Sequence, residues 1–295
     1  MVLWALSGFI FWKVLQRVLS PLKKLQHAIN CFKEKSPMPK LEIGGLDELS
    51  QLSRDYLEII HACEDTLARQ RVLETMRRDF IANVSHELKT PLTTIAGFIE
   101  TLESGALEDA QHNRRFLGII STNVKRLTLL VQDILNLAKI ENEISPRETV
   151  NLVDLVRTML QEHFSAHLTR ITFSPSQKPI TVLANLREIY SACLNYVDNA
   201  IKYAPYGPID ISLTKDAGSI YYRVKDGGPG ISPNELSRIF ERFYRPDKNR
   251  SRETGGTGLG LSIVKNVVEK HGGAVGVESV EGQGTLFYFR LPLQS

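Results

Sequence analysis

The sequence predicts an α plus α/β chain, with helices over the first half followed by a two-layer α/β sandwich. Three observations predict it. Between residues 84 and 137, apolar residues return at steps of three and four, the period of a helical stripe. From Glu148 the texture changes to short runs rich in Ile, Val, Phe and Tyr between turn residues, as in strands. Inside that region, 186–203 and 259–271 return to helical spacing. Strands and helices mix without strict alternation, which argues for helices on one face of a mixed sheet.

Composition narrows the class. A length of 295 residues allows about two domains. Thirty-six basic against 33 acidic residues leave a net charge of +3, which makes no case for a nucleic-acid partner. Cys31, Cys63 and Cys193 form no CxxC pair, and an odd count fits a reducing compartment better than a disulfide framework.

The first twelve residues are almost wholly apolar, and Lys13 and Arg17 follow. A full membrane span needs about 20 apolar residues. This run reaches that length only if 14–19 continues it with Lys13 snorkelling. Lys13, Arg17, Lys23, Lys24, Lys33 and Lys35 against Glu34 make a positive-inside pattern, and Trp4 and Trp12 suit an interface. Residues 1–19 are expected to be a transmembrane or membrane-anchor helix, with the bulk of the chain on the cytoplasmic side. Pro21 can open the next helix, with Leu22, Leu25, Ile29 and Phe32 on one face. Ser36-Pro-Met-Pro breaks it, an extended link with Gly44-Gly45 follows, and Asp47-Glu48 opens another helix. Leu49, Leu52, Tyr56, Ile59 and Cys63 then fall at coiled-coil steps. Residues 20–70 resemble the HAMP linker of bacterial receptors, with Ser50 where that family usually has Gly.

Residues 71–144 read as a helical hairpin. Val84, Leu88, Pro91, Ile95, Phe98 and Leu102 form one stripe, and Gly105 can cap the helix end. Phe116, Ile120, Asn123, Leu127, Leu130, Ile134 and Leu137 form another, with Asn123 able to fix register. Two such stripes cannot both be buried by one hairpin, and a homodimer making a four-helix bundle would bury them. His86 lies two residues from both Val84 and Leu88, about 200° from each, so it faces solvent beside Glu87. The upstream seam continues through Thr66, Gln70, Leu73, Arg77 and Phe80 to Val84, and one residue too many then separates it from Leu88. That phase break of about 100° falls on His86 within one long helix expected from 47 to 104.

Residues 147–295 carry three further features. Asn195-Tyr-Val-Asp-Asn199-Ala-Ile-Lys202-Tyr203 places Asn195 and Asn199 on one helical face, with Lys202 three beyond. Asp226-Gly-Gly228-Pro-Gly230 ends a strand, and Gly255-Gly256-Thr-Gly258-Leu259-Gly260 opens a helix. Glycines at a helix start let backbone N–H groups approach phosphates. There is no Gly-Lys anywhere, so this is no P-loop, and the spacing fails the dinucleotide fingerprint.

Taken in order, these segments resemble sensor histidine kinases. His86-Glu-Leu-Lys-Thr90-Pro is similar to the H box, Asn195–Tyr203 to the N box and Asp226–Gly230 to the G1 box. Phe240-Glu-Arg-Phe-Tyr244 is similar to the F box, 256–260 to the G2 box, and Gly282-Gln-Gly-Thr285 to a later glycine element. The stretches around Gly97 and Phe116 look most like the phosphate-sensing, PhoR-type branch. The resemblance implies that ATP binds residues 147–295, with Asp226 accepting from the adenine amino group. Asn199 would offer its amide oxygen to Mg²⁺, and Lys202, Tyr203 and Arg245 would face the phosphates. Gly228, Gly230, Gly256, Gly258, Leu259, Gly260 and Thr285 would line the pocket beside Asn195, under a lid spanning 241–254. The resemblance further implies that His86 attacks the γ-phosphoryl group while Glu87 orients the ring and takes its proton. The group would pass to an aspartate of a response regulator, and Thr90 would position water for dephosphorylating it. Gly227 departs from the family's common Asn, and Ala184-Asn185 from a common acid. A membrane-bound protein that binds ATP without phosphotransfer is the alternative. A gyrase- or chaperone-like ATPase is disfavoured, because those enzymes place Glu where Asn195 stands.

Overall fold

A computed structural model of the chain describes residues 2–34, 48–106, 110–142, 146–175, 179–216, 218–246 and 256–293. It divides into two compact units, Met1–Ala82 and Asn83–Ser295.

The first unit holds helix α1, Val2–Glu34, and the first part of helix α2, Glu48–Thr101. One expectation needs correcting here. Helix α1 runs straight through Pro21, which opens no new element. A proline removes one backbone bond and kinks a helix, and turns on both sides can hold it. Among the described residues no helix is long and apolar enough to cross a membrane. The apolar run stops at Lys13, eleven residues into the helix, so the charges enter any window of spanning length. Trp4, Phe9, Ile10, Phe11 and Trp12 are all exposed. The Pro-Met-Pro breaker and Gly44-Gly45 lie outside the described residues. In α2, Ile60 is buried while Ile59 and Cys63 are exposed, so the seam is one residue off the expected register. Apolar side chains stand at both 59 and 60, and periodicity alone does not choose between them.

The second unit begins with the hairpin. Helix α2 has no break before Thr101, although Pro91 lies inside it. The chain then widens into a π turn, Leu102–Ala106, rather than ending on Gly105. Helix α3 is Ala110–Asn142. Both predicted stripes turn inward but are only partly covered by the one hairpin: Pro91, Leu102, Leu130 and Leu137 are buried, Val84, Leu88, Ile95, Ile120, Leu127 and Ile134 are half-buried, and Phe98 meets Phe116 at 5.0 Å between ring centres. Asn123 donates to the Ile119 carbonyl of its own helix, 2.8 Å away.

The sandwich follows. Strand β1, Glu148–Asn151, leads into helix α4, Leu152–His163, a 3₁₀ segment Ser165–Arg170 and β2, Ile171–Pro175. Next come β3, Thr181–Ala184, α5, Leu186–Tyr203, β4, Ile209–Lys215, and β5, Ser219–Asp226. A short helix α6, Pro233–Leu236, precedes α7, Gly260–Lys270, β6, Ala274–Ser279, and β7, Thr285–Pro292. The main sheet has the order β2-β4-β5-β7-β6, with β2 and β4 parallel and the other pairs antiparallel. Strands β1 and β3 form a separate antiparallel pair. Alternation along β4, β5 and β7 buries Ile209, Ile211, Leu213, Ile220, Tyr222, Val224, Phe287, Phe289 and Leu291 on one face. Tyr196 of α5 packs on Phe287 and Phe289, and its hydroxyl donates to the Tyr288 carbonyl at 3.2 Å. The opposite face carries Asp210, Thr214, Lys225 and Arg290, all exposed, which completes the two-layer arrangement.

Candidate active site

The segments Asn195–Tyr203, Asp226–Gly230, 256–260 and 282–285 stand at the ends of α5, β5, α7 and β7. Pairing of Asp226 with Ile209 and Thr285 fixes the end of β5 in the sheet. The Asp226 side chain is buried, and its Oδ1 accepts from the Gly228 N–H at 2.8 Å. Burial pushes its carboxyl up from the ordinary aspartate value, against the pull of the Gly228 and Thr285 N–H groups. A buried acceptor with two backbone donors on one side can read an amino group on the other.

The glycines make room. A Cβ on Gly228 would come within 2.8 Å of Asp226 Oδ1 and 3.0 Å of the Tyr203 carbonyl. Gly284, at φ +87°, passes so close that a Cβ would fall 1.9 Å from the Asp226 carbonyl oxygen. At the start of α7, a Cβ on Gly260 would lie 2.5 Å from Asn195 Oδ1. The Asn195 amide nitrogen already donates to the Ser191 carbonyl at 2.8 Å, which leaves Oδ1 toward that helix end. Gly256 comes near the Tyr203 hydroxyl, and Gly258 lies against Phe243 and the Arg245 stem. Phe243 holds a positive φ of 63° and donates its N–H to the Gly258 carbonyl, so the F-box turn and the glycine loop are built as one piece. Leu259 is fully buried, and Thr285 shares a 2.9 Å hydrogen bond with Ser279. Asn199 is half-buried one turn beyond Asn195, and Lys202 pairs with Asp198 at 2.5 Å. The expected lid beyond residue 246 lies outside the described residues as far as 255.

The second group sits on α2. The His86 side chain is 73% exposed, and its Nδ1 is 3.9 Å from Glu87 Oε1. Lys89, Thr90, Thr93 and Thr94 line the same open groove. The Thr90 hydroxyl donates to the His86 carbonyl at 3.2 Å. Pro91 lacks the N–H that would bond to the Glu87 carbonyl. No hydrogen bond or ion pair among the described residues joins His86 to the glycine pocket.

Three partnerships escaped the sequence reading. Arg126 of α3 donates to Glu87 Oε2 at 2.9 Å. Asp133 of α3 accepts from the Thr257 hydroxyl at 2.6 Å, inside the glycine loop. Glu141 accepts from Arg242 and from Asn266. One signal was present: an acid near the expected seam position, Glu87, calls for a buried partner.

Two family models account for both groups. The His Kinase A phospho-acceptor domain matches residues 76–143, and the histidine kinase-, DNA gyrase B- and HSP90-like ATPase matches residues 184–295. The chain belongs to the bacterial two-component sensor histidine kinases. It is similar to the sensor protein kinase WalK of Staphylococcus saprophyticus, at 38% identity over 247 residues, 81% of this chain and 40% of that one. A WalK of Staphylococcus aureus is 36% identical over 246 residues and is covered over 58% of its length. The chain thus spans about half or less of these curated relatives. Among solved structures, full-length ShkA in complex with AMPPNP shares 29% identity and a TM-score of 0.52, over 72% of this chain and 45% of that one. The histidine kinase ThkA, solved with the response regulator TrrA, shares its fold at a TM-score of 0.63 and 24% identity, over 79% of this chain and 66% of that one. Part of α2 and the whole of α3 fall in the range matched by the phospho-acceptor model, and the glycine pocket falls in the range matched by the ATPase model.

Proposed function

We propose that this chain is an ATP-dependent protein-histidine kinase that autophosphorylates His86 and passes the group to an aspartate of a response regulator. The observation that carries the reading is His86, exposed beside a carboxylate, in one chain with a glycine-lined pocket around Asp226 and Asn195. Asp226 accepts from the adenine amino group. The α7 N-terminus, freed of side chains at Gly256, Gly258 and Gly260, receives the phosphates, with Lys202, Tyr203 and Arg245 as further donors. Hard amide oxygens fit Mg²⁺, and Asn199, one helical turn beyond Asn195, is the residue that would hold it at the phosphates. The ion would supply charge neutralisation there.

Neutral His86 attacks the γ-phosphorus through Nε2, the ring nitrogen away from Glu87, while Glu87 Oε1 takes the Nδ1 proton. An amide at 195 has no basic lone pair to activate water, so the phosphoryl group is kept for the histidine. Thr90, in the same groove, positions water for dephosphorylating the regulator. Apolar residues left exposed on the single hairpin support a homodimer. Leu117, Val124 and Val131 recur at steps of seven on α3, as do Leu92 and Ile99 on α2. The exposed aromatic end of α1, followed by basic residues, supports attachment to the cytoplasmic membrane.

Incubation with γ-labelled ATP tests the reading. Acid-labile, base-stable label on the chain and none on His86→Gln is expected. ATP binding without label would favour the interaction protein instead.

A further inference from the structure

Glu87 has two oxygens and two different neighbours. Oε1 faces His86 Nδ1 at 3.9 Å, and Oε2 accepts from Arg126 at 2.9 Å. The environments differ too. The His86 side chain is 73% exposed, whereas those of Glu87 and Arg126 are 28% and 19% exposed. The pair therefore lies between α2 and α3, and the histidine lies outside it. Consecutive residues on a helix are turned by about 100°, so the acid next to an outward histidine points toward the hairpin seam. There it meets a guanidinium whose own helix is packed in place by Leu127 and Leu130.

We propose that Arg126 is a positioning residue for phosphoryl transfer at His86, holding one Glu87 oxygen so that the other stays aimed at the ring. This rests on the kinase reading above. As the Nε2 lone pair forms the N–P bond, the P–O bond to ADP breaks and the Nδ1 proton passes to Glu87 Oε1. The carboxylate must close from 3.9 Å to hydrogen-bonding reach for that transfer. A glutamate free on its stem samples many rotamers, and one whose far oxygen is fixed from the opposite helix samples few. Among the described residues the hydrogen bond of Arg126 runs to Glu87 and none runs to the glycine pocket, so its effect belongs to the chemical step and not to nucleotide binding. A plain interhelical ion pair of this exposure would contribute little stability and would act equally whether or not residue 87 is a base.

The test is a double-mutant cycle on the full chain, with single-turnover autophosphorylation by γ-labelled ATP. Arg126→Met, which keeps the aliphatic stem in the seam, is expected to lower the rate about tenfold with KM for ATP unchanged. Arg126→Lys is expected to recover most of that loss. In a Glu87→Gln background, where no base remains, Arg126→Met should add less than about twofold. A full tenfold loss in that background, or an unchanged rate in the single variant, would overturn the proposal. So would a loss confined to KM. A parent chain that binds ATP and takes no acid-labile label overturns the kinase reading itself, and the proposal with it.

Discussion

At the residue scale, the pocket is defined more by what is missing than by what is present. A glycine in a strained turn and a glycine in close approach act differently here. Gly284 needs its positive φ, and any side chain there would collide with the main chain of Asp226. Gly260 has no such conformational need, and what it avoids is a single side-chain atom, Asn195 Oδ1. A methyl at 260 pushes the amide away from the helix end without unfolding anything. Gly260→Ala is therefore expected to weaken binding of a non-hydrolysable ATP analogue by roughly tenfold, while stability to urea changes by less than about 1 kcal/mol. Calorimetric titration and a denaturation curve on the same preparation separate the two. Unchanged affinity would show that the Asn195–α7 contact is not part of the nucleotide site.

At the element scale, α3 is both the second arm of the hairpin and a neighbour of the glycine loop. The Asp133–Thr257 bond ties the two, and the loop's own Leu259 N–H bonds back to Thr257 at 3.3 Å. Burial pushes the Asp133 carboxyl up from its ordinary value, opposed by the Thr257 bond and by Lys202, with Asp198 adding to the rise. The sign of the stability effect follows. Over the window between the ordinary aspartate value and the raised one, the folded chain binds more protons than the unfolded chain. Stability therefore falls as pH climbs through that window, and the cost is fully present above it. Asp133→Asn keeps an oxygen for the Thr257 hydroxyl and has no charge to desolvate. It is expected to be at least as stable as the parent at pH 7, with the advantage fading as pH drops toward 4. Denaturant midpoints across that range check it, and a variant less stable at pH 7 would mean that the ionised pair is favourable where it sits.

At the scale of the whole molecule, the long helix α2 is the feature to perturb. Every residue from 65 to 79 is exposed, so deleting one of them removes no buried contact. The deletion turns the following seam by about 100° relative to the preceding one. If the phase of that helix sets the balance of activities at His86, deletion of Val72 is expected to shift the kinase-to-phosphatase ratio at least threefold with ATP affinity intact. A ratio equal to the parent's would remove helix rotation as the control.

What the sequence by itself determined is what depends on neighbours along the chain. The stripe from Val84 to Leu102 and its counterpart from Phe116 to Leu137 are legible because a helix maps steps of three and four onto one face. The pocket's glycines and asparagines are legible because each stands in a contiguous segment with its own turn or helix end. Helix α4 carries local signals of the same kind. Asn151 caps it by accepting from the Val153 N–H, and Leu152, Leu155, Val156, Met159 and Leu160 form its buried face. Only the tertiary structure decided the rest. Glu87 and Arg126 are 39 residues apart, and Asp133 and Thr257 are 124 apart. A charged residue beside a seam has the same local pattern whether its partner is water or a carboxylate on another helix. Ile59 and Ile60 differ by one residue and about 100° of helix. The packing of that helix, and not its periodicity, chose which of them to bury.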